Sequence, residues 1–122
     1  MGEQGERTAA QFLVEKGFRI LQRNYRCRTG EIDLVAEDRG TLVFVEVKTR
    51  VEDSEMLPEA ALTHTKKKRI CRAAREFMKV NRLVDQLYRV DLVGIEYRDN
   101  GTCRIHHWQN VVSFRRALAR WR

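Results

Sequence analysis

Two neighbouring segments of the chain are short apolar runs that also carry charged residues, and their length and composition are those of β-strands. They read EIDLVAE at residues 31–37 and TLVFVEVKT at residues 41–49. The three residues between them, Asp38, Arg39 and Gly40, favour a tight turn. This arrangement predicts an antiparallel hairpin inside a sheet, and every other element has to fit around it.

Each strand of this hairpin carries a pair of ionisable residues two positions apart among its apolar side chains. Glu31 and Asp33 share one face of the first strand, and Glu46 and Lys48 share one face of the second, because side chains two residues apart point the same way. Charged side chains are rarely buried unless they are paired or hold a metal ion. The hairpin therefore predicts either an ion-pair network or a functional site.

The other elements are predicted from apolar spacing and from turn residues. Two helices and three further strands are expected, at residues 2–16, 66–80, 18–26, 86–97 and 102–108. The third and fourth strands are joined through a helix, so they can run parallel. The sequence thus predicts a single α/β domain over residues 1–122, with helices packed on a mixed sheet.

Three shorter features complete this prediction. Thr65 is expected to be the N-cap of the second long helix, and Pro58 to start a short helical turn before it. A final short helix is expected near the C-terminus, with the apolar stripe Phe114, Leu118 and Trp121.

The chain is basic as a whole. Its 122 residues include 24 Lys and Arg against 17 Asp and Glu, a formal net charge of +7. Such a surplus in a small domain favours a polyanionic partner, most simply nucleic acid. Four basic residues recur at helical spacing on one face of the second long helix: Lys68, Arg72, Arg75 and Lys79. A solvated polar face is the alternative, but such faces usually mix both signs of charge.

Several other classes of protein are disfavoured. The N-terminal residues lack the apolar core of a signal peptide, and no apolar run approaches the roughly 20 residues of a membrane span. Cys27, Cys71 and Cys103 are odd in number and far apart. Their spacing disfavours a disulfide framework or a zinc ribbon and favours structural thiols in a reducing cytoplasm.

The histidines and tryptophans offer no separate active site. His106 and His107 are adjacent, so in a strand they face opposite ways and cannot easily share a metal ion. Together with His64 they are interpreted as structural or surface residues. Trp108 and Trp121 are interpreted as core or interface residues rather than base-stacking platforms.

The hairpin acids suit a divalent cation. Mg²⁺ takes oxygen ligands and usually only one or two protein carboxylates, the rest being water and phosphate. Asp33 and Glu46 lie on neighbouring strands and can reach one ion, and the carbonyl of Val47 can add an uncharged ligand. Lys48 stays on the face of Glu46, where it can stabilise charge that develops on a phosphate.

Two alternatives remain open on these grounds alone. The four charges can instead form a self-neutralising ion-pair network with no catalysis. Glu6 lies in line with the inward stripe of the first helix and can join the acids, but an acid in a first helical turn also complements the helix dipole.

The segment GEIDLVAEDRGTLVFVEVKTR at residues 30–50 closely resembles the signature of the YraN family of small bacterial proteins. GERTAAQFLVEKGFRILQRNYR at residues 5–26 and YRVDLV at residues 88–93 resemble other parts of that family. The family is similar to the restriction-endonuclease-like superfamily, often written PD-(D/E)XK, and within it to archaeal Holliday-junction resolvases. The resemblance implies a central mixed five-stranded sheet flanked by helices, and hydrolysis of phosphodiester bonds with Mg²⁺ or Mn²⁺.

The resemblance also implies roles for particular residues. Asp33 and Glu46 match the metal-binding acids, Lys48 matches the catalytic lysine, and Glu6 fits the acid that the resolvases place on their first helix. Glu31 belongs to the family's own motif and could hold a second metal ion or position Lys48.

The expected function is therefore a metal-dependent endonuclease that acts on structured or branched DNA. Two alternatives stay open, namely a non-catalytic nucleic-acid-binding module with the same fold and a repair nuclease that acts on single-stranded DNA. Arg50 and Lys66 join the basic row as expected nucleic-acid contacts. A homodimer is one option for the assembly, no membrane partner is expected, and the role of Asp91 is left open.

Overall fold

The computed structural model describes residues 2–51 and 62–112. The helices and strands in these ranges are α1 (Gly2–Glu15), β1 (Arg19–Cys27), β2 (Gly30–Asp38), β3 (Thr41–Val51), α2 (His64–Val80), β4 (Tyr88–Tyr97) and β5 (Cys103–Trp108). Each predicted element of these ranges is present, with boundaries shifted by two residues at most. The turn predicted at Pro58 and the helix predicted around Phe114, Leu118 and Trp121 lie outside the described residues.

The five strands form one sheet in the order β1-β2-β3-β4-β5. Neighbouring strands are antiparallel except β3 and β4, which are parallel and joined through α2. The predicted α/β fold with a mixed five-stranded sheet is confirmed. Because α2 returns the chain from the end of β3 to the start of β4, the first turn of α2 lies near the end of β3.

The turn between β2 and β3 is shorter than predicted. Asp38 pairs with Thr41 and so belongs to β2, which leaves a two-residue turn. Arg39 and Gly40 both have positive φ, 52° and 85°. Two positive φ angles define a type I′ turn, whose twist matches that of the flanking strands.

Each face of the sheet has its own apolar core. On one face, here called the α1 side, Ala9, Ala10 and Leu13 of α1 pack on residues of β2, β3 and β4. The close approach of α1 depends on Gly5, because a Cβ there would lie 2.6 Å from the Cγ2 of Thr49. On the opposite face, the α2 side, the apolar stripe of α2 packs on the sheet: Ile70, Ala73, Ala74, Phe77 and Met78.

Helix α2 begins two residues earlier than the sequence predicted. Thr63, not Thr65, is the N-cap, and its hydroxyl accepts a hydrogen bond of 3.3 Å from the main-chain N–H of Lys66. Thr63 has extended backbone angles, whereas Thr65 already lies in the first helical turn. With this cap Lys66 is the third residue of the helix instead of the first, and it stays in the first turn.

A charged network is buried on the α1 side, around Asp91. Asp91 is fully buried and accepts hydrogen bonds from Arg89, from His107 and from the main-chain N–H of Asn110, at 3.0, 2.8 and 2.9 Å. Arg89 also donates to Asp38 at 3.1 Å. The network thus connects β4 to β2, to β5 and to the chain after β5, which gives Asp91 a structural role.

His107 belongs to this network and has one protonation pattern that satisfies its contacts. Burial alone would raise the pKa of Asp91, but its hydrogen bonds to His107, Arg89 and Asn110 together lower it, so Asp91 is a carboxylate. His107 Nε2 therefore donates to Asp91, and Nδ1 is left to accept from Lys16 Nζ at 2.7 Å. The prediction that His107 is structural is confirmed.

The three cysteines, all within the described ranges, are free. Residues 2–51 and 62–112 contain no helix that is both long and apolar enough to cross a bilayer.

Candidate active site

Strands β2 and β3 separate at the predicted acids. The last residue pair of their ladder is Leu34 with Val45, and Asp33 and Glu46 are the next residues along the two strands, beyond the paired region. Beyond that point the main-chain N–H of Val47 donates to the Oδ2 of Asp33 at 2.7 Å. The carboxylate of Asp33 thus takes the place of a main-chain acceptor, which fixes its position between the two strands.

The regular period of β2 breaks at Asp33. In an undistorted strand Ile32 and Leu34 would share a face, yet Ile32 packs on the α2 side and Leu34 on the α1 side. Opposite this break, Asn24 of β1 has a positive φ of 53°. The distortion explains why the face of Asp33 could not be deduced by counting residues from Glu31.

Glu46 lies against Asp33 in a partly buried position. Burial raises the pKa of Glu46 to about 8, with further contributions from the charge of Asp33 and from a hydrogen bond between the two carboxyl groups. The charges of Lys66 and Lys48 act in the opposite direction and are too weak to cancel this rise. Glu46 therefore keeps its proton at neutral pH when no cation is bound.

This pKa argues against a purely structural ion-pair network. Carboxylates in a self-neutralising network have a lowered pKa, because the neighbouring cations favour the charged form. Glu46 has a raised pKa although Lys48 and Lys66 are close. Two acids held together by the fold, with too little positive charge to balance them, are a donor set that a divalent cation would complete.

Glu6 of α1 lies at the border of this pair. Burial and the charge of Asp33 raise its pKa, while a side-chain hydrogen bond to Asn24 lowers it. Within the described ranges, however, no three side chains of His, Cys, Asp or Glu are grouped closely enough to hold a metal ion. The structure therefore places Asp33 and Glu46 together as a pair, with Glu6 as their neighbour.

Glu31 forms an ion pair outside the Asp33–Glu46 pair, although its charge contributes to the raised pKa of Glu6. Its carboxylate is exposed and lies 3.3 Å from the Nε of Arg26 on β1. Asn24, which sequence reasoning missed, contacts Glu6 and marks the distorted position of β1. An Asn inside a strand pattern was the available signal, since Asn is depleted in strands and tolerates positive φ.

The two lysines are placed around the acids by different elements. Lys48 follows Glu46 by two residues and stays on the α2 side of β3. Lys66 reaches the site from the first turn of α2, which explains its effect on the pKa of Glu46. The site thus has acids at its centre and cations beside them.

The other predicted nucleic-acid contacts lie at increasing distances from the acids. Arg50 is half-buried on β3, and its Nε has no partner in the described part of the chain. The basic row of α2 is exposed but leads away from the site: Lys68, Arg72, Arg75 and Lys79. Lys79 is roughly 20 Å along the helix axis from Lys66, at 1.5 Å per residue. Their contact with nucleic acid stays a prediction.

Known proteins resemble this chain along most of its length. The profile of the uncharacterised protein family UPF0102 matches residues 5–95. A UPF0102 protein of Chlorobium phaeobacteroides strain BS1 is 46% identical over 115 residues, which cover 93% of this chain and 91% of that protein. A UPF0102 protein of Trichlorobacter lovleyi is 42% identical over 112 residues, covering 91% and 88%. A third, from Lachnoclostridium phytofermentans, is 53% identical over 78 residues, covering 64% and 66%. The resemblance to the YraN family is confirmed, and the chain belongs to the uncharacterised protein family UPF0102.

Proposed function

We propose that the protein is a metal-dependent endonuclease that hydrolyses phosphodiester bonds in structured or branched DNA. The observation that carries the proposal is the pair of carboxyl groups of Asp33 and Glu46 at the point where β2 and β3 separate, with Lys48 on the same strand as Glu46. Acids facing a phosphate backbone have no use in a domain that only binds, whereas a metal-dependent hydrolase requires them.

In this proposal the chain's own residues perform three tasks. Asp33, oriented by the N–H of Val47, and Glu46, once its proton is lost, would hold Mg²⁺ or Mn²⁺, with the carbonyl of Val47 as the predicted third ligand. A bound ion would supply positive charge at the scissile phosphate. Lys48 stabilises the negative charge that develops on a phosphate oxygen. Lys66 helps to draw the backbone to the site.

The choice of substrate rests on charge and on the resemblance. A net charge of +7 favours a polyanion, and the basic row of α2 continues well beyond the acids, so it suits a substrate with more than one backbone. The similarity of the family to Holliday-junction resolvases favours branched DNA. Single-stranded DNA is the alternative substrate for the same metal-dependent hydrolysis of phosphodiester bonds.

Cleavage of a substrate panel tests the proposal. Four-way junction, flap, duplex and single-stranded DNA are each incubated with Mg²⁺, Mn²⁺ or EDTA. Cleavage is expected with a divalent ion only, and with the junction or flap preferred. Asp33→Asn and Glu46→Gln should abolish both cleavage and the heat of Mn²⁺ binding in calorimetry, while Glu37→Gln, at the opposite end of the sheet beside Arg19, should change neither.

Lys48→Ala separates binding from chemistry. This variant should keep its DNA affinity within a few fold, because the other cations remain. Its cleavage rate should fall by at least ~10²-fold, the scale expected for one preorganised charge-stabilising group. If the wild type binds DNA but cleaves no member of the panel, the non-catalytic binding module becomes the better account.

A further inference from the structure

The break in β2 at Asp33 has a counterpart in β1 at Asn24. These two residues are opposite each other by sequence count, yet they are not a pair of the β1–β2 ladder. Regular pairing continues on both sides of them, so the two strands are interrupted at one level only. The pairs that flank the interruption are Arg23–Leu34 and Tyr25–Ile32.

Strand β1 changes its facing at Asn24, as β2 does on the other side of the ladder. Cross-strand partners share a face, so Arg23 lies on the α1 side with Leu34. Two residues later Tyr25 packs on the α2 side, where its ring meets the ring of Phe77 edge-on, with the centroids 5.2 Å apart. In an undistorted strand residues 23 and 25 would share a face.

The backbone of Asn24 explains how β1 makes this change. Its φ of 53° is in the left-handed region, which Asn adopts more readily than most residues with a side chain. One left-handed residue lets the edge strand follow β2 through its change of face and resume pairing beyond it. The carboxylate of Asp33 is thereby directed to β3, where it accepts the N–H of Val47 at 2.7 Å.

The side chain of Asn24 acts on a second acid. Its carboxamide forms a hydrogen bond with Glu6 of α1, and this bond lowers the pKa of Glu6. A hydrogen bond that lowers a carboxyl pKa favours the charged form, so the amide group is the donor. The charge of Asp33 also acts on Glu6, which places Glu6 close to the acid pair. Asn24 thus connects α1 to the edge strand at the level of the break.

From these two contacts we propose that Asn24 is the positioning residue of the acid site. Its left-handed backbone directs Asp33 to β3, and its carboxamide holds Glu6 beside Asp33 and Glu46. The inference rests on the proposed nuclease function and adds the residue that orders the acids before a cation binds. Asn24 is not itself a ligand in this account, since it acts through Asp33 and Glu6.

Amide NMR signals recorded in EDTA test the backbone role without metal or substrate. Asp33→Ala removes the acceptor of the Val47 N–H and gives a reference position for the Val47 signal. Asn24→Ala should move the signal toward that reference, because Ala disfavours a positive φ. Asn24→Gly should leave it in place, because Gly adopts a positive φ freely. The amide of Leu42 donates to the carbonyl of Leu87 at the other end of β3 and should not shift in any variant.

A double-mutant cycle tests the role of the carboxamide. Calorimetry with Mn²⁺ measures the affinity of the wild type, Asn24→Gly, Glu6→Gln and the double variant. Asn24→Gly should weaken binding about tenfold, the lower end of the usual loss for a residue that orients a metal ligand. In the Glu6→Gln background the same change should have little further effect, because the carboxamide acts through Glu6. Asn110→Gly is the matched control, since Asn110 also has a positive φ, 55°, and should leave the affinity unchanged.

The outcomes distinguish the positioning role from the nuclease function. If Asn24→Ala leaves the Val47 signal in place, or if Asn24→Gly moves it equally, the backbone role is wrong. If the effects of Asn24→Gly and Glu6→Gln on Mn²⁺ affinity are independent, the role of the carboxamide is wrong. If Asn24→Ala does not fold, the cycle decides, because it places only Gly at this position.

The NMR result does not depend on catalysis. If the Val47 signal responds as expected while the wild type binds no Mn²⁺ and cleaves no DNA, the positioning of Asp33 stands and the nuclease function fails. If the wild type cleaves DNA while neither the Val47 signal nor the cycle responds to changes at Asn24, the nuclease function stands and the positioning role is wrong.

Discussion

The carboxyl group of Glu46 is held where its charge is unfavourable. Its pKa rises from the ordinary value of 4.5 to about 8, mainly by burial and by the charge of Asp33. The folded state therefore binds a proton that the unfolded chain releases. The stability linked to this proton is fully present below pH 4.5 and is lost as the pH rises through about 8.

Glu46→Gln should remove this pH dependence. Gln mimics the protonated carboxyl group and cannot ionise, so the variant should match the wild type near pH 5 and exceed its free energy of unfolding near pH 9. Urea denaturation in the presence of EDTA over that range measures the difference. Equal slopes of stability against pH in the two proteins would contradict the assigned pKa, and Glu37→Gln serves as the control.

Helix α2 depends on a cap that the sequence alone did not identify correctly. Thr63 and Thr65 are both plausible N-cap residues by type, but only the hydroxyl of Thr63 bonds to the main chain of the first turn. Thr63→Ala should lower the free energy of unfolding by about 1 kcal/mol, the usual value of an N-cap. Thr65→Ala is the matched control and should cost little, since Ala is the better helix former. If denaturant titrations show that Thr65→Ala lowers the free energy of unfolding more than Thr63→Ala does, Thr65 is the N-cap and the assignment of Thr63 is wrong.

The basic row of α2 carries a second prediction at this scale. Arg72 and Arg75 are exposed, and the Nε of Arg75 donates to the carbonyl of Cys71. Changing both arginines to Ala should weaken binding of all duplex sequences alike and flatten the salt slope by about two units. Metal binding should be unaffected, because neither residue is a ligand. An unchanged slope in filter binding would show that this face does not touch the backbone.

The buried hydrogen-bond network around Asp91 contributes to the stability of the whole folded domain. A fully buried carboxylate connects three strands, and hydrogen bonds from three partner residues offset the burial that would otherwise raise its pKa. Because the folded pKa of Asp91 is lowered below 3.8, its stabilisation is present above that pH and is lost as the pH falls through the folded pKa.

Asp91→Asn should therefore be strongly destabilising near neutral pH. Removing one partner of a buried ion pair costs about 3–5 kcal/mol, and in this variant Arg89 would keep only Asp38 of its two carboxylate partners. Below pH 4 the gap between variant and wild type should narrow. Asp85→Asn, on the exposed loop before β4, is the control and should change stability little at either pH. A small cost at pH 7 would mean that Asp91 is not the centre of the network.

Much of the fold could be predicted from local sequence. Strands β2 and β3 followed from short apolar runs on either side of a turn, and α2 followed from its apolar stripe, because these patterns depend on residues close together in the chain. The period of two along a strand placed Glu46 and Lys48 on one face, and the motif of residues 30–50 was sufficient to indicate the family.

The remainder was decided by contacts between distant parts of the chain. The period of β2 fails at Asp33, where its side chain accepts the N–H of Val47 and its neighbour on β1 is Asn24 with positive φ. The pKa of Glu46 is set by burial beneath other elements, and His107 meets Asp91 only because β5 pairs with β4. Periodicity specifies which face a residue occupies, whereas desolvation and hydrogen-bond partners exist only once the strands have assembled.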